Sequence, residues 1–111
     1  MGTTYDKYTY QVAWSADDKE YVASVAEFPS LSWLDSDRAK AEAGLMDLVC
    51  EVVQDLLDSG EEVPTPLGER RYSGKFNVRT SPALHRQLVM AAQREGISLN
   101  MLVNHKLAAG L

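Results

Sequence analysis

The sequence predicts an α+β protein made of two units. Two observations predict this class: alternating strand patterns precede a long amphipathic helix, and a separate strand-helix-helix pattern ends the chain. Its 111 residues suffice for one medium domain or two small ones. We expect the first unit at 1–66, a linker at 67–72 and the second unit at 73–111.

The first unit begins with strands. Tyr8–Trp14 and Tyr21–Val25 alternate apolar with small polar residues, and the polar run Ser15–Glu20 between them indicates a hairpin loop. Pro29 interrupts the chain, and Leu31–Leu34 follows as a short third strand. A three- or four-stranded antiparallel sheet is therefore expected.

One long helix should follow this sheet. Ser36 is a suitable N-cap with Asp37 in the first turn, and Gly60 supplies the stop. The predicted apolar positions are Ala39, Leu45, Leu48, Val49, Val52, Val53, Leu56 and Leu57. The predicted outer face carries Glu42, Asp47, Glu51, Asp55 and Asp58. Such a face is usually only solvated, but it could also attract a basic partner.

The segment Gly60–Gly68 contains two prolines and two glycines, which is typical of a linker. Beyond it, Lys75–Thr80 has a strand pattern, and Ser81 with Pro82 marks a helix start. Helix one has its apolar stripe at Leu84, Leu88, Ala91 and Ala92, and it stops at Gly96. Ser98 caps helix two, whose apolar face is Leu99, Leu102, Val103 and Leu107.

A single strand in a unit of about forty residues leaves its backbone groups unpaired. With no disulfide or credible metal cluster to stabilise the unit, we expect a dimer in which two copies of Lys75–Thr80 pair antiparallel. Successive side chains of a strand face opposite sides. Phe76 and Val78 would therefore face the four helices of the dimer, two from each chain, and the polar side chains between them would face outward. The predicted dimer core is Phe76, Val78, Leu84, Leu88, Leu102 and Val103.

The two units differ in charge. Residues 1–71 hold 6 Lys and Arg against 15 Asp and Glu, a net charge of −9, whereas residues 72–111 hold 5 against 1, a net charge of +4. Two partners of opposite charge are therefore expected, and a protein that coats nucleic acid over its whole surface is disfavoured. The single cysteine, the N-terminus without signal-peptide features and the lack of an 18-residue apolar stretch predict a cytoplasmic protein outside the membrane.

Lys75-Phe76-Asn77-Val78-Arg79, together with the turn Gly96-Ile97-Ser98-Leu99-Asn100, resembles the ribbon-helix-helix DNA-binding family. In that family the strand pair enters the major groove and the second helix start clamps a phosphate. The resemblance implies these DNA-binding residues: Lys75, Asn77, Arg79, Ser98, Leu99 and Asn100.

The first unit has a strand hairpin, then Glu27-Phe28-Pro29-Ser30-Leu31, then Asp35-Ser36-Asp37 before an acidic helix. In these features it resembles HicB antitoxins. Ser30 stands where many relatives carry glycine. The resemblance implies a partial ribonuclease-H-like fold, a HicA-like RNA-cleaving toxin and operator DNA as partners, and a homodimer or tetramer; it leaves the toxin-binding residues unassigned.

Two other functions remain open from the residues. A stand-alone dimeric regulator would use the same tail without a toxin, and a metal-dependent nuclease would need converging carboxylates. The acidic residues fall in a turn and along one helix face, so we expect no enzyme activity, catalytic residue, metal or cofactor. His85 and His105 are interpreted as surface or dimer-contact residues, Cys50 as a buried small hydrophobe, and Trp14 and Trp33 as sheet core.

Overall fold

The structure is a computed structural model that describes residues 4–111. Contacts within the chain separate two compact units, Met1–Tyr72 (unit 1) and Ser73–Leu111 (unit 2). The helices and strands are β1 Tyr10–Ser15, β2 Glu20–Val25, β3 Ser32–Asp35, α1 Arg38–Asp58, α2 Pro82–Glu95 and α3 Leu99–Ala109. Two short 3-10 turns lie at Thr4–Lys7 and Leu67–Glu69.

Unit 1 contains a three-stranded antiparallel sheet in the order β1-β2-β3. Tyr10 pairs with Val25 in the first ladder, and Ala23 pairs with Trp33 in the second. The α+β class and the antiparallel sheet are therefore confirmed, with three strands in the part of the chain that the structure describes.

The long helix is confirmed, but its cap lies one residue later than expected. Asp37, not Ser36, is the N-cap of α1, and its carboxylate accepts a hydrogen bond from Lys40 N–H at 3.2 Å. At the other end the helix stops at Ser59, and Gly60 takes the left-handed conformation with φ 72°. A glycine adopts that conformation without the steric cost that a Cβ would add.

The core of unit 1 lies between α1 and one face of the sheet. The helix buries Ala41, Leu45, Val49 and Val53 at four-residue steps, and the buried cluster also includes Tyr8, Ala23 and Val25. Ala39, Leu57 and Cys50 were expected to be apolar-face residues, but all three are exposed. Ala39 and Cys50 lie roughly 100° or more around the helix from the buried row, so they point away from the sheet. Leu57 instead continues the four-residue steps beyond Val53, at the C-terminal end of the helix, where it is exposed.

The proline-rich segment after α1 packs on unit 1. The Tyr8 hydroxyl donates to the Pro64 carbonyl at 2.7 Å, Val63 packs against the core and Pro66 is buried. The composition of this segment prevents a helix or strand, as expected from its prolines. The prolines do not prevent the segment from packing against the rest of unit 1, because single backbone groups such as the Pro64 carbonyl still accept hydrogen bonds.

Glu27 is the main polar residue in this attachment. Its buried carboxylate accepts hydrogen bonds from Thr9 N–H at 2.9 Å, the Thr9 hydroxyl at 3.0 Å and Leu67 N–H at 2.9 Å. Burial alone would raise the pKa of Glu27, but the hydrogen bonds from Leu67 and Thr9 outweigh it and hold the pKa below the ordinary 4.5. The ionised carboxylate therefore joins the start of β1 to the segment after α1.

Unit 2 consists of two well-capped helices. Ser81 accepts a hydrogen bond from Leu84 N–H at 3.1 Å, and Pro82 occupies the first turn of α2. Gly96 ends α2 with φ 70°, and Ile97 N–H bonds back to the Ala92 carbonyl at 3.1 Å, which completes a Schellman motif. The predicted helices and their capping residues are confirmed here.

The strand expected at Lys75–Thr80 is the clearest difference in unit 2. In the single chain described over residues 4–111, this segment is not assigned to any strand. A β-ladder requires a second strand to receive its hydrogen bonds, and one copy of unit 2 does not supply it. Pairing between two chains stays a prediction.

Candidate functional site

The segment 75–80 is exposed along its whole length. Phe76 keeps 73% of its surface exposed, and Val78 keeps 63%. These are the two apolar side chains expected to face the shared helices of a dimer. Large apolar groups with this exposure favour burial against another surface.

The same excess of exposed apolar surface extends over both helices of unit 2. Its exposed large hydrophobic residues are Phe76, Val78, Leu84, Val89, Met90, Met101, Leu107 and Leu111. Its buried hydrophobic residues are Ala92 and Leu102, while Leu88 and Val103 are half-buried. One copy of unit 2 therefore lacks a core of ordinary size.

The three polar side chains of the segment have no polar contacts with the described part of the chain. The side chains of Lys75, Asn77 and Arg79 are exposed and make no hydrogen bond or ion pair within residues 4–111. The hydrogen bonds of Lys75 are made by its backbone: its N–H donates to the Ser73 hydroxyl at 3.1 Å, and its carbonyl accepts from that hydroxyl at 3.4 Å. These long side chains are available to bind a partner.

The N-terminus of α3 is the second predicted DNA contact. The Ser98 hydroxyl accepts a hydrogen bond from Met101 N–H at 3.0 Å. This cap gives a partner to the backbone N–H of the third helical residue. The first N–H groups of a helix have no partner within that helix. In α3 these groups belong to Leu99 and Asn100, next to the exposed Ser98.

A shallow groove of about 290 Å³ runs along α2, lined by Pro82, His85, Arg86, Val89 and Met90. Val89 and Met90 lie outside the predicted dimer core, and both are large and exposed. They are apolar yet stand on a different side of the helix from the stripe of Leu84 and Leu88. The helix is therefore apolar on two sides.

Unit 1 corrects the interpretation of both tryptophans. Trp14 is 55% exposed and Trp33 is 42% exposed, so neither is a buried core residue. Trp33 lies against α1 at Gly44, where a Cβ would overlap its indole ring. Trp14 is at the end of β1, opposite Tyr21 in the ladder. Both tryptophans thus combine a packing contact with an accessible surface.

The predicted acidic face of α1 is exposed. Its members are Glu42, Asp47, Glu51, Asp55 and Asp58. Across the described residues 4–111, no group of three or more His, Cys, Asp or Glu side chains is placed to hold a metal ion. No described helix is both long and apolar enough to cross a membrane.

The fold therefore defines a small α+β unit followed by a capped helix pair. The HicB family model matches residues 58–107, which is 50 of the 111 residues. It runs from the end of α1 through most of α3. Neither the curated proteins nor the solved structures gave a match to this chain.

Proposed function

We propose that this protein is an antitoxin that neutralises a HicA-like RNA-cleaving toxin and represses its own operon by binding operator DNA. The observation that carries the proposal is the HicB match over residues 58–107. This match includes all of α2 and most of α3. HicB proteins are associated with toxin-antitoxin pairs. The proposal includes a cytoplasmic location and no enzyme activity.

The first step of the proposal is dimerisation through unit 2. Two copies of Lys75–Thr80 pair antiparallel, and Phe76 and Val78 of each chain become buried against the helices of both. Full burial of such a side chain is worth about 1.5–3 kcal/mol. The exposure of these two residues in one chain supports this step.

The second step is DNA reading by the strand pair. Alternation along the strand places Lys75, Asn77 and Arg79 on the face opposite Phe76 and Val78. Arginine pairs well with guanine and asparagine with adenine in the major groove. The net charge of +4 over residues 72–111 supports attraction to the phosphate backbone.

The third step fixes the protein on the DNA backbone. The N–H groups of Leu99 and Asn100 at the start of α3 bind a phosphate, with Ser98 beside them. The helix dipole favours an anion there. Such backbone contacts set the position of the strand pair without reading sequence.

The fourth step is toxin binding by unit 1. A protein that cleaves RNA must attract phosphate, so its active surface is expected to be basic. Residues 1–71 carry a net charge of −9, and the outer face of α1 is acidic and exposed. Charge complementarity of this kind speeds association and selects the partner.

A stand-alone dimeric regulator is the second candidate, and the position of the family match favours it. The match begins at residue 58 and leaves the whole sheet of unit 1 outside. In this candidate unit 2 has the same DNA-binding role, while unit 1 assembles dimers or senses a ligand.

Co-expression separates the two candidates. The chain is produced with the product of the small basic gene beside its own, and growth and co-purification are measured. The antitoxin proposal predicts that the neighbour arrests growth alone, is harmless with this chain and co-purifies with it. A genome without such a gene, or a harmless neighbour, would leave the stand-alone regulator.

A further inference from the structure

The end of the unit 1 sheet carries a cluster of three side chains, Trp14, Tyr21 and Arg38, which we call the Trp14 cluster. Trp14 and Arg38 are exposed, and Tyr21 is half-buried. The rings of Trp14 and Tyr21 meet edge to face, with centroids 5.1 Å apart and planes at 69°. The Arg38 guanidinium lies over the Tyr21 ring, 5.8 Å from its centroid. These contacts form one connected surface, in which the Arg38 cation already lies over the Tyr21 ring and the Trp14 indole remains accessible.

The Trp14 cluster is held in place before any partner arrives. Arg38 Nη2 also donates to the Val12 carbonyl at 3.3 Å, which ties the first residue of α1 to strand β1. Tyr21 and Trp14 are ladder partners, so the sheet fixes their separation. A surface ordered in advance loses less side-chain entropy on binding.

The cluster is nevertheless open to solvent. Trp14 keeps 55% of its surface exposed although its edge-to-face contact with Tyr21 already covers part of it. Trp, Tyr and Arg are the residues most enriched among the few that dominate protein interfaces. All three are present in this one cluster.

The surrounding charge indicates the chemistry of the partner. The hairpin turn that follows Trp14 carries two exposed carboxylates, Asp17 and Asp18, against one exposed cation, Lys19, and the Ser15 hydroxyl donates to Asp18 at 2.9 Å. An exposed indole face attracts Lys or Arg by a cation–π contact. Indole and carboxylates together therefore suit a basic side chain of another protein.

We propose that the Trp14 cluster is the docking surface through which unit 1 holds its basic protein partner. This rests on the proposed antitoxin function and assigns that function to particular residues. A Lys or Arg side chain of the toxin stacks on the Trp14 indole and pairs with the turn carboxylates. The indole supplies the central contact, and the turn supplies charge at its rim.

The test uses the full-length chain and the purified product of the neighbouring toxin gene. Binding is measured by calorimetry for the wild type, Trp14→Ala, Trp14→Phe and the control Leu57→Ala. Leu57 is an exposed apolar residue of α1, 58% accessible, so its removal matches the loss of exposed apolar surface. Circular dichroism confirms that each variant is folded.

We expect Trp14→Ala to weaken toxin binding by about tenfold or more and Leu57→Ala to leave it unchanged. Trp14→Phe should fall between them, because phenylalanine keeps a weaker cation–π surface. In the wild type, the loss of affinity with added salt should be steeper than in Asp17→Asn/Asp18→Asn.

Three results would overturn the assignment in different ways. If the wild-type chain does not bind the toxin, the proposed antitoxin function is itself contradicted. Wild-type binding that Trp14→Ala leaves intact keeps the function and places its surface elsewhere. If Trp14→Ala instead converts a tetramer to a dimer in sedimentation, with toxin affinity unchanged, the cluster binds a second copy of this chain.

Discussion

The two units of this chain have cores of very different completeness. Unit 1 buries a connected cluster of seven hydrophobic residues between a helix and a sheet. Unit 2 has helices that are as well capped, yet it buries only Ala92 and Leu102 among its hydrophobic side chains. Good local signals thus specify helices in both units, but only unit 1 contains the partners that its apolar surface needs.

Under the proposed function, this difference is consistent with separate roles for the two halves. A unit with its own core can present a surface to a different protein without changing its fold. A unit with an incomplete core is expected to depend on a second copy of itself. The first unit therefore suits recognition of a toxin, and the second suits dimerisation coupled to DNA binding.

The largest expected effect is that of Val78→Asp. A carboxylate in the shared core of the dimer is not compensated there, so dimers and operator binding should both be lost while unit 1 stays folded. Sedimentation velocity and an operator shift assay measure the two effects. Asn77→Asp is the matched control, because residue 77 is expected to face outward in the proposed dimer, where its charge should impair DNA binding alone. A folded Val78→Asp monomer that still binds operator would contradict the strand-pair account.

The next effect tests the core of unit 1. Leu45→Ala removes a fully buried side chain and should lower the free energy of unfolding by about 2–5 kcal/mol. Thermal or urea unfolding followed by tryptophan fluorescence reports on this unit, because both tryptophans lie in it. Leu57→Ala, at an exposed position on the same helix, should change stability by far less. An equal loss in both variants would place the core elsewhere.

Arg79→Ala addresses base reading in unit 2. It should weaken operator binding by about 1–3 kcal/mol and relax the preference at one base position, without changing the dimer. Binding to the operator and to single-base variants gives both quantities. Unchanged operator affinity, with the dimer intact, would count heavily against reading by the strand.

Glu27 makes the stability of unit 1 depend on acid pH. Its pKa is lowered in the folded chain, so its contribution is fully present above the unfolded value near 4.5 and is lost as pH falls through the folded value. Glu27→Gln should cost roughly 1 kcal/mol at neutral pH, since a neutral acceptor forms weaker hydrogen bonds. Urea unfolding between pH 7 and pH 3 should show a smaller decline for this variant. Parallel curves for the two proteins would exclude Glu27 as the cause.

The smallest change is expected for Lys75→Ala. If Lys75 contacts a phosphate, its removal should reduce the slope of log affinity against log salt by about 0.9 and leave base preference unchanged. Operator titrations at several salt concentrations measure this slope. An altered base preference would instead make Lys75 a base reader, as the family resemblance implies.

Much of the fold follows from short-range patterns in the sequence. The apolar period of α1 and the caps at Ser81, Gly96 and Ser98 are local, and the structure confirms them. The predicted start of α1 was one residue too early, because Ser36 and Asp37 are both good N-cap residues. Local chemistry did not distinguish them.

Other features depend on contacts that periodicity does not encode. The docking of the proline-rich segment rests on Glu27, whose two distant partners lie 18 and 40 residues along the chain. Trp14 fits the alternating apolar pattern of its strand, which predicts a core position. In the structure it lies near the end of the edge strand β1 and is 55% exposed. The candidate DNA-binding residues were predicted from the family resemblance. The strand on which they would lie stays a prediction, because one copy of unit 2 supplies no second strand to pair with it.

Hydrogen exchange in the segment Lys75–Thr80 tests the central claim most directly. Two-dimensional NMR on the full chain follows these backbone amides over a range of protein concentrations. The account predicts that alternate amides of the segment become protected as dimers form, because an antiparallel pair bonds every second residue across the strands. Amides that exchange freely at every concentration, in a chain that sedimentation shows to be a folded monomer, would contradict it.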